Sequence, residues 1–418
     1  MKSQNIAIIG SGIAGLTTAH LLSREHRVTV FEANDYIGGH THTVPVSMDG
    51  TTLAVDTGFI VCNDRNYPHF LSLMQRLGVG IRPTEMSFSV RNPALNLEYN
   101  GHNLNTLFGQ RRNLLRPGFY RLVRDILRFN RASKSALDSG GVDDITLGAF
   151  VKSQGLSALF RDNYLLPMVA AIWSCSLRQA SDFPLAFFLR FFRHHGLLDV
   201  RNRPQWYVVE GGSQAYVEPL TRDFADRIHL RTPVTAVART DAAVEISYGG
   251  LTECFDQVVL ACHSDQALAL LHDPTDRERD ILGALEYQDN DVILHSDARL
   301  LPRTPRCRAS WNFIAGDSAL DSPPVVTYSM NILQGLQSSE PLLVTLNARE
   351  RIAREKIIAE FSYAHPVYSR ASMAAQARRG EICGRDRLHY CGAYWYDGFH
   401  EDGVRSALDV AARFGLSP

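Results

Sequence analysis

Apolar positions run without interruption through Ile6–Ile9, recur at helical spacing through Ile13–Leu22, and alternate again through Arg27–Phe31. This pattern predicts a buried parallel strand, a helix and a second strand. From Tyr67 to about Pro204 the spacing turns helical, with apolar residues three and four apart in Pro68–Leu77, Pro117–Arg131 and Ser157–Trp173. Trp206–Val217 reads as a strand that leads into a helix, and Ile228–Val237, Val244–Tyr248 and Phe255–Ala261 read as strands. A second excursion follows, with strands expected at Val292–His295, Val325–Met330 and Leu342–Asn347. The chain then closes on a strand from Leu388, an aromatic loop and a final helix. There is no internal repeat and no low-complexity tract.

The first strand and helix are joined by Gly10-Ser11-Gly12-Ile13-Ala14-Gly15. Gly10 permits a tight turn, Gly12 lets the backbone approach a pyrophosphate, and Gly15 lets the helix pack closely on the sheet. The start of that helix offers free N–H groups and partial positive charge to an anion. Glu32 falls 22 positions after Gly10, at the end of the second strand, where its carboxylate can hold ribose hydroxyls. Strand, helix, strand and acid stand in register, so a dinucleotide is expected here. The turn by itself suits NAD as readily as a flavin nucleotide.

Composition narrows the setting. A length of 418 residues is enough for two domains, and a formal net charge of −1 gives no bulk attraction to nucleic acid. The seven cysteines are scattered and form no CxxC pair, which argues for a reducing compartment and against a disulfide frame or a zinc site. The first residues read as a core strand rather than a signal peptide, and no apolar run reaches the roughly 18–20 residues a bilayer span needs. A cytoplasmic protein is expected, with a peripheral role on the inner membrane face left open.

The residues after Glu32 decide between the dinucleotides. Ala33 leads to Gly38-Gly39-His40-Thr41, which resembles the extended FAD fingerprint of the flavin amine oxidase and phytoene desaturase superfamily. Relatives often carry Arg after the two glycines, so His40 is a departure that leaves a shorter donor. Val55-Asp-Thr57-Gly58-Phe59-Ile60-Val61 resembles the segment whose backbone lies against the isoalloxazine ring in that superfamily. Gly211-Gly212 resembles its return to the FAD domain, Thr232-Pro-Val234 its adenine contact through a valine, and the strand ending at Ala261 its third FAD strand. Gly392 and the stretch Phe399-His400-Glu-Asp402-Gly403-Val404 resemble its closing helix, whose N-terminus faces the flavin pyrimidine. Asp402 there is equally readable as a plain cap.

The resemblance covers essentially the whole chain. It implies an α/β fold: a Rossmann-like FAD-binding domain with a mainly parallel sheet, built from 1–65, 205–265 and 380–418, and an inserted α+β substrate domain from 66–204 and 266–379. It implies noncovalent FAD, since the surroundings of Cys391 do not match those of the covalent-flavin cysteine of monoamine oxidases. Trp173-Ser-Cys-Ser, Phe187–Leu198, Arg203–Trp206 and Gly398–Gly403 further resemble a bacterial branch of predicted NAD/FAD-binding proteins. That branch is similar to the N-terminal oxidase portion of plant cyclopropane fatty acid synthases, which implies lipid-related redox chemistry. An FAD-dependent oxidoreductase acting on an acyl lipid is therefore expected. Amine oxidation, polyprenoid desaturation or isomerisation, and a non-enzymatic flavin protein are the alternatives.

Catalytic residues are not legible. Many amine oxidases carry a lysine on the strand that opens the second substrate portion, and Tyr287–Asp297 holds none. His295 and Asp297 alternate onto one strand face and read as a satisfied surface pair rather than an acid–base pair. Phe399 and His400 are expected to line the active site as binding residues. Residues 110–134 hold seven Arg and one Lys against a single acid, Asp125, with Phe119, Leu122, Val123, Ile126, Leu127 and Phe129 on an apolar face. Such a helix suits an anionic membrane surface, or a helix packed on the substrate domain with a solvated basic edge.

Overall fold

A computed structural model describes residues 2–140, 142, 145–199, 203–315, 321 and 323–417. Its organising layer is a parallel sheet of five strands in the order Ile228–His229, Arg27–Phe31, Asn5–Ile9, Gln257–Leu260 and Leu388–Tyr390. Asn5–Ile9 is central, pairing Ile6 with Val28 on one side and Gln257 on the other, and Ile6, Ala7 and Ile8 are wholly buried. Burial on both faces is why this strand reads as an unbroken apolar run. The helices Ile13–Leu22 and His400–Arg413 cross against each other on this layer. They can do so because Gly403 faces Ile13: a Cβ there would lie 2.7 Å from Ile13 Cγ2.

Two strands expected from the sequence are each divided. Ile228–Val237 contributes Ile228–His229 to the parallel sheet, turns at Arg231 (φ 51°), and resumes as Val234–Arg239 in an antiparallel three-stranded sheet with Val244–Tyr248 and Leu251–Phe255. Phe255–Ala261 breaks at Asp256, whose carboxylate accepts from Asn5 N while its own N–H donates to Asn5 O. That pair of bonds sets the entry of Gln257–Leu260 beside the first strand.

The second large sheet has seven strands, in the order Ile357–Pro366, Tyr287–His295, Leu343–Leu346, Val326–Ser329, Trp311–Ile314, Phe88–Asn92 and Leu97–Asn100. Only the Trp311–Ile314 and Phe88–Asn92 pairing is parallel. Phe88–Asn92 and Leu97–Asn100 lie inside the stretch whose spacing suggested a largely helical region. Against this sheet packs a helical layer that includes Pro117–Ser139, Leu166–Trp173 and Leu185–His194, sharing a core around Phe119, Phe129, Phe160, Val169 and Phe188. Among the described residues no helix is long and apolar enough to cross a membrane, and no cluster of His, Cys, Asp or Glu could hold a metal ion.

Candidate functional site

The glycine turn closes over the C-terminal edge of the parallel sheet. Gly10 adopts φ 107°, donates its N–H to Phe31 O, and would drive a Cβ to 2.8 Å from Ala261 O. Gly15 lies closer still, with a Cβ position 2.0 Å from Gly10 O and 3.2 Å from the Ala261 side chain. Ala261 thus forms the floor of the turn. Gly12 differs: a Cβ there meets nothing within 4 Å. Gly12 also caps Ile13–Leu22 without a side-chain hydrogen bond, and no acid stands in the first turn. Ile13 and Ala14 are buried, so open space and uncapped N–H groups meet at one point. This donor set fits a diphosphate.

Glu32 is 7% exposed and is already held in place. Its carboxylate accepts from Ser11 N (2.9 Å), Ser11 Oγ (2.6 Å) and Asn34 N (2.9 Å), which leaves acceptor capacity for a ribose hydroxyl. Ala33 beside it is exposed. Thr232 N–H donates to Glu32 O, bringing the start of Val234–Arg239, and so Val234, next to Glu32. Ser11 Oγ in turn accepts from Gly38 N at 3.2 Å, and Gly38 bridges Gly12 as a short parallel pair. The second glycine pair therefore folds back over the first turn, with a Cβ position on Gly39 3.2 Å from Gly12 Cα.

His40 lies behind this loop. Its Nε2 is buried and has no hydrogen-bond partner, and its ring lies 5.1 Å from Tyr363, 5.6 Å from His365 and 6.3 Å from His263. Burial, reinforced by the three neighbouring histidines His365, His263 and His400, holds the His40 imidazole well below its usual range, so it is neutral. Burial likewise pushes His365 down to about 4. An orphaned polar atom of this kind carries a cost of about 1–3 kcal/mol unless a bound group supplies its partner. The segment Thr57–Phe59 runs alongside, with Thr57 N donating to His42 O and Phe59 N to His40 O. Gly58 permits that approach: a Cβ would sit 2.2 Å from His40 O. Thr57 Oγ1 bonds Tyr363 OH at 2.8 Å, and Ile60 is buried in the adjoining apolar cluster.

The start of the C-terminal helix meets the same region. His400 Nε2 bonds Tyr216 OH (2.8 Å) and Thr41 Oγ1 (3.1 Å), and Phe59 stacks on its ring at 3.7 Å. Burial pushes His400 down to about 3. Its ring is a locked, neutral strut between Thr41 and Tyr216 rather than an open wall of the active site. Asp402 accepts from Phe399 N at 2.9 Å, so its carboxylate acts as the cap. Gly403 N–H is spent on Phe399 O at 3.1 Å, and Val404 lies within the helix. The uncommitted donors at this helix start are instead those of His400 and Glu401, one turn earlier than the sequence suggested, because the helix begins at His400. The Glu401 carboxylate accepts from His69 N and Phe70 N and so ties this helix to Pro68–Leu77. Gly392 is fixed by its N–H bond to Ser406 Oγ.

Phe399 turns the other way, toward the helical layer. It stacks on Phe191 (5.2 Å), which meets Trp173 (4.6 Å) and His195 (3.8 Å), while Phe187 stacks on Tyr368 (5.1 Å). Trp173 and Tyr368 line a cavity of about 220 Å³ together with Phe183, Gln179 and Asp182. Trp173 Nε1 and Tyr368 OH are buried without partners. A larger open cleft of about 450 Å³, beside Arg379, Trp395 and Asp409, touches none of the candidate cofactor residues. His295 and Asp297 do not form a surface pair. His295 is fully buried and bonds Thr345, and Asp297 is salt-bridged to Arg299.

Several contributors escaped the sequence reading. Asp56, fully buried, accepts from Thr43 Oγ1, Ser213 N, Ser213 Oγ and Gln334 Nε2, knotting the glycine pair at 211–212 to the hairpin before Thr57. Burial pushes its carboxyl up to about 6. It stood inside the Val55–Val61 motif, which was a usable signal. Tyr216 likewise stood inside the Trp206–Val217 segment, whereas Tyr363, His263 and His365 had no signal, being brought together only by the fold.

Residues 13–294 match the family of flavin containing amine oxidoreductases, and the chain belongs to that family. Its cofactor is accordingly a flavin, FAD, which the glycine turns and Glu32 fit. A Mycobacterium tuberculosis protein assigned as a flavin-containing monoamine oxidase is 25% identical over 261 residues, 58% of this chain and 53% of its own length. The chain thus spans about half the length of the curated relatives it matches. Among solved structures, an engineered putrescine oxidase superposes with a TM-score of 0.71 at 15% identity, covering 98% of each chain. A fatty acid isomerase from P. acnes that produces CLA superposes at 0.69 with 17% identity, covering 99% of each. Both share the fold.

Proposed function

We propose that this protein is an FAD-dependent oxidoreductase that takes hydride from a C–H bond of an apolar substrate, an acyl lipid. The observation that carries the reading is the aromatic wall Trp173–Phe191–Phe399, which leads from the 220 Å³ cavity to the residue preceding the C-terminal helix. When bound, FAD supplies the two-electron acceptor. The chain's own part is to hold and orient. The Gly10–Gly15 turn and uncapped helix start take the diphosphate, Glu32 the ribose, and the N–H groups of His400 and Glu401 favour negative charge at the flavin end. Phe191, Phe187 and Trp173 exclude water and give an alkyl chain a dry path. No lysine stands on Tyr287–His295, and burial makes His40, His365 and His400 weak bases. The proton lost from the carbon beside the one that gives up hydride would therefore pass to solvent, leaving a C=C bond. That the same fold serves a fatty acid isomerase supports room for an acyl chain.

A second reading, a cationic amine substrate, is favoured by Asp397. Burial raises its carboxyl, so an ammonium bound beside it would restore the charge that burial suppresses, and the adjacent Gly398 packs on the Tyr368 hydroxyl. The amine oxidases among the relatives support it. Anaerobic mixing separates the two. Loss of flavin absorbance near about 450 nm with acyl lipids and not with primary amines fits the first reading, and the reverse pattern overturns it.

A further inference from the structure

The Arg-rich stretch divides its residues between two faces in the structure. Phe119, Leu122 and Phe129 turn inward to the helical core, so the apolar stripe seen in the sequence is spent on packing. Other apolar residues are left outside. Of the ten large apolar side chains exposed among the described residues, six fall between 95 and 127: Leu95, Leu104, Leu114, Leu115, Tyr120 and Leu127. Leu115 is 87% exposed and Leu104 75%. Clustering at this density on a folded surface marks an interaction site rather than scatter.

Hydrogen bonds hold these residues in one surface. Arg111 donates to Asn105 Oδ1 and Phe108 O, fixing the turn that carries Leu104 against the turn that carries Leu114 and Leu115. Tyr120 OH donates to Leu114 O, and Arg112 and Arg116 both donate to Asn96, next to Leu95. Along Pro117–Ser139 the exposed face continues as Tyr120, Arg124, Leu127 and Arg131, spaced four, three and four apart. Arg111, Arg112 and Arg121 are exposed as well. The only acid in this stretch, Asp125, is buried and engages Arg124 and Arg128. The face is therefore basic, with leucines protruding between the cations.

We propose that this surface docks on an anionic phospholipid bilayer. Cations at headgroup level with protruding leucines beyond them match both layers of such a membrane, whereas a soluble polyanion would leave Leu104 and Leu115 without a partner. The same helix packs through Phe129 on Phe188 of Leu185–His194, the helix whose Phe187 and Phe191 back the cavity-lining Tyr368 and Trp173. Docking would thus seat the substrate wall one helix away from the lipid supply. The inference rests on the acyl-lipid reading for its purpose, but vesicle binding needs no turnover, so either can fail alone.

The test is co-sedimentation of the FAD-loaded protein with vesicles of phosphatidylcholine alone or with phosphatidylglycerol added, at low and high salt. Binding is expected only with the anionic vesicles and should fall with salt. Arg121→Gln/Arg131→Gln should weaken it about 25-fold, at roughly fivefold per arginine. Leu104→Ser/Leu115→Ser should weaken it about tenfold. Both variants touch exposed side chains and should retain wild-type flavin content and thermal midpoint, which excludes misfolding. Absence of binding to the anionic vesicles at low salt overturns the proposal. So does leucine-independent binding matched by retention on heparin, which would make the patch a polyanion site.

Discussion

Gly12 and Gly15 separate what the turn does for the fold from what it does for the cofactor. At Gly15 an added Cβ would lie 2.0 Å from a backbone oxygen, Gly10 O, and 3.2 Å from Ala261 Cβ. An ordinary contact needs over 3 Å, so the helix would have to retreat from the sheet by about 1 Å. Overpacking of that size costs about 1–3 kcal/mol, against which alanine's better helix propensity returns about 1 kcal/mol. Gly15→Ala should therefore destabilise the flavin-free protein by up to about 2 kcal/mol and also shift the donors at Gly12. Gly12 has φ −66° and ψ 173°, open to alanine, and nothing lies within 4 Å of its Cβ position. Gly12→Ala should leave the flavin-free protein as stable as wild type, or up to about 1 kcal/mol more stable through the unfolded chain. Yet its methyl occupies the space offered to the diphosphate, and flavin affinity should fall at least about tenfold. Urea unfolding of stripped protein and fluorescence titration with FAD read the two effects separately. Wild-type FAD affinity in Gly12→Ala would refute the placement of the diphosphate.

Further expectations concern the surrounding residues. His40→Leu removes the unpartnered Nε2, so flavin-free stability should hold or rise while FAD affinity drops about tenfold, as measured by the same titration. Gly403→Val forces the crossing helices apart at Ile13 and should lower the urea midpoint by the equivalent of about 2–3 kcal/mol, with Gly403→Ala losing less. Burial and then Asp397 hold the Asp402 carboxyl up at about 8 against 3.8 when unperturbed. Being raised, it contributes stability that is complete below about pH 4 and is lost as pH climbs through 8. Between pH 5 and 8 that loss is on the order of 3 kcal/mol. Asp402→Asn, which keeps an oxygen for Phe399 N–H, should flatten the fall in unfolding free energy over this range, and an unchanged slope would count against it.

The parts of this molecule visible in its sequence are those whose determinants are local. Ile6–Ile9, the Gly10–Gly15 turn and Glu32 announce themselves because strand burial and a tight strand–helix turn each need particular residues at short, fixed spacing, and Glu32 closes the next strand of the same motif. Phe88–Asn92 was missed although it forms a local hairpin with Leu97–Asn100, and its second partner, Trp311–Ile314, lies more than two hundred residues away. Ile228–Val237 looked continuous, since nothing apolar marks the reversal at Arg231. At the site, Asp56 was legible within its motif and overlooked. The group of His40, His263 and His365 was not legible at all, because no spacing links those positions until the sheets bring them together. The closing helix was correctly anticipated, yet its free donors fall at His400 and Glu401, a matter of one turn that depends on where the cap lies.

The proposed hydride source is an acyl C–H bond. The most direct measurement is anaerobic stopped-flow of the FAD-loaded protein with a phospholipid carrying ordinary or perdeuterated acyl chains, following absorbance near about 450 nm. The account predicts bleaching by the ordinary lipid and markedly slower bleaching by the deuterated one. Bleaching by primary amines alone, or by lipid at a rate indifferent to deuterium in the chain, would contradict it.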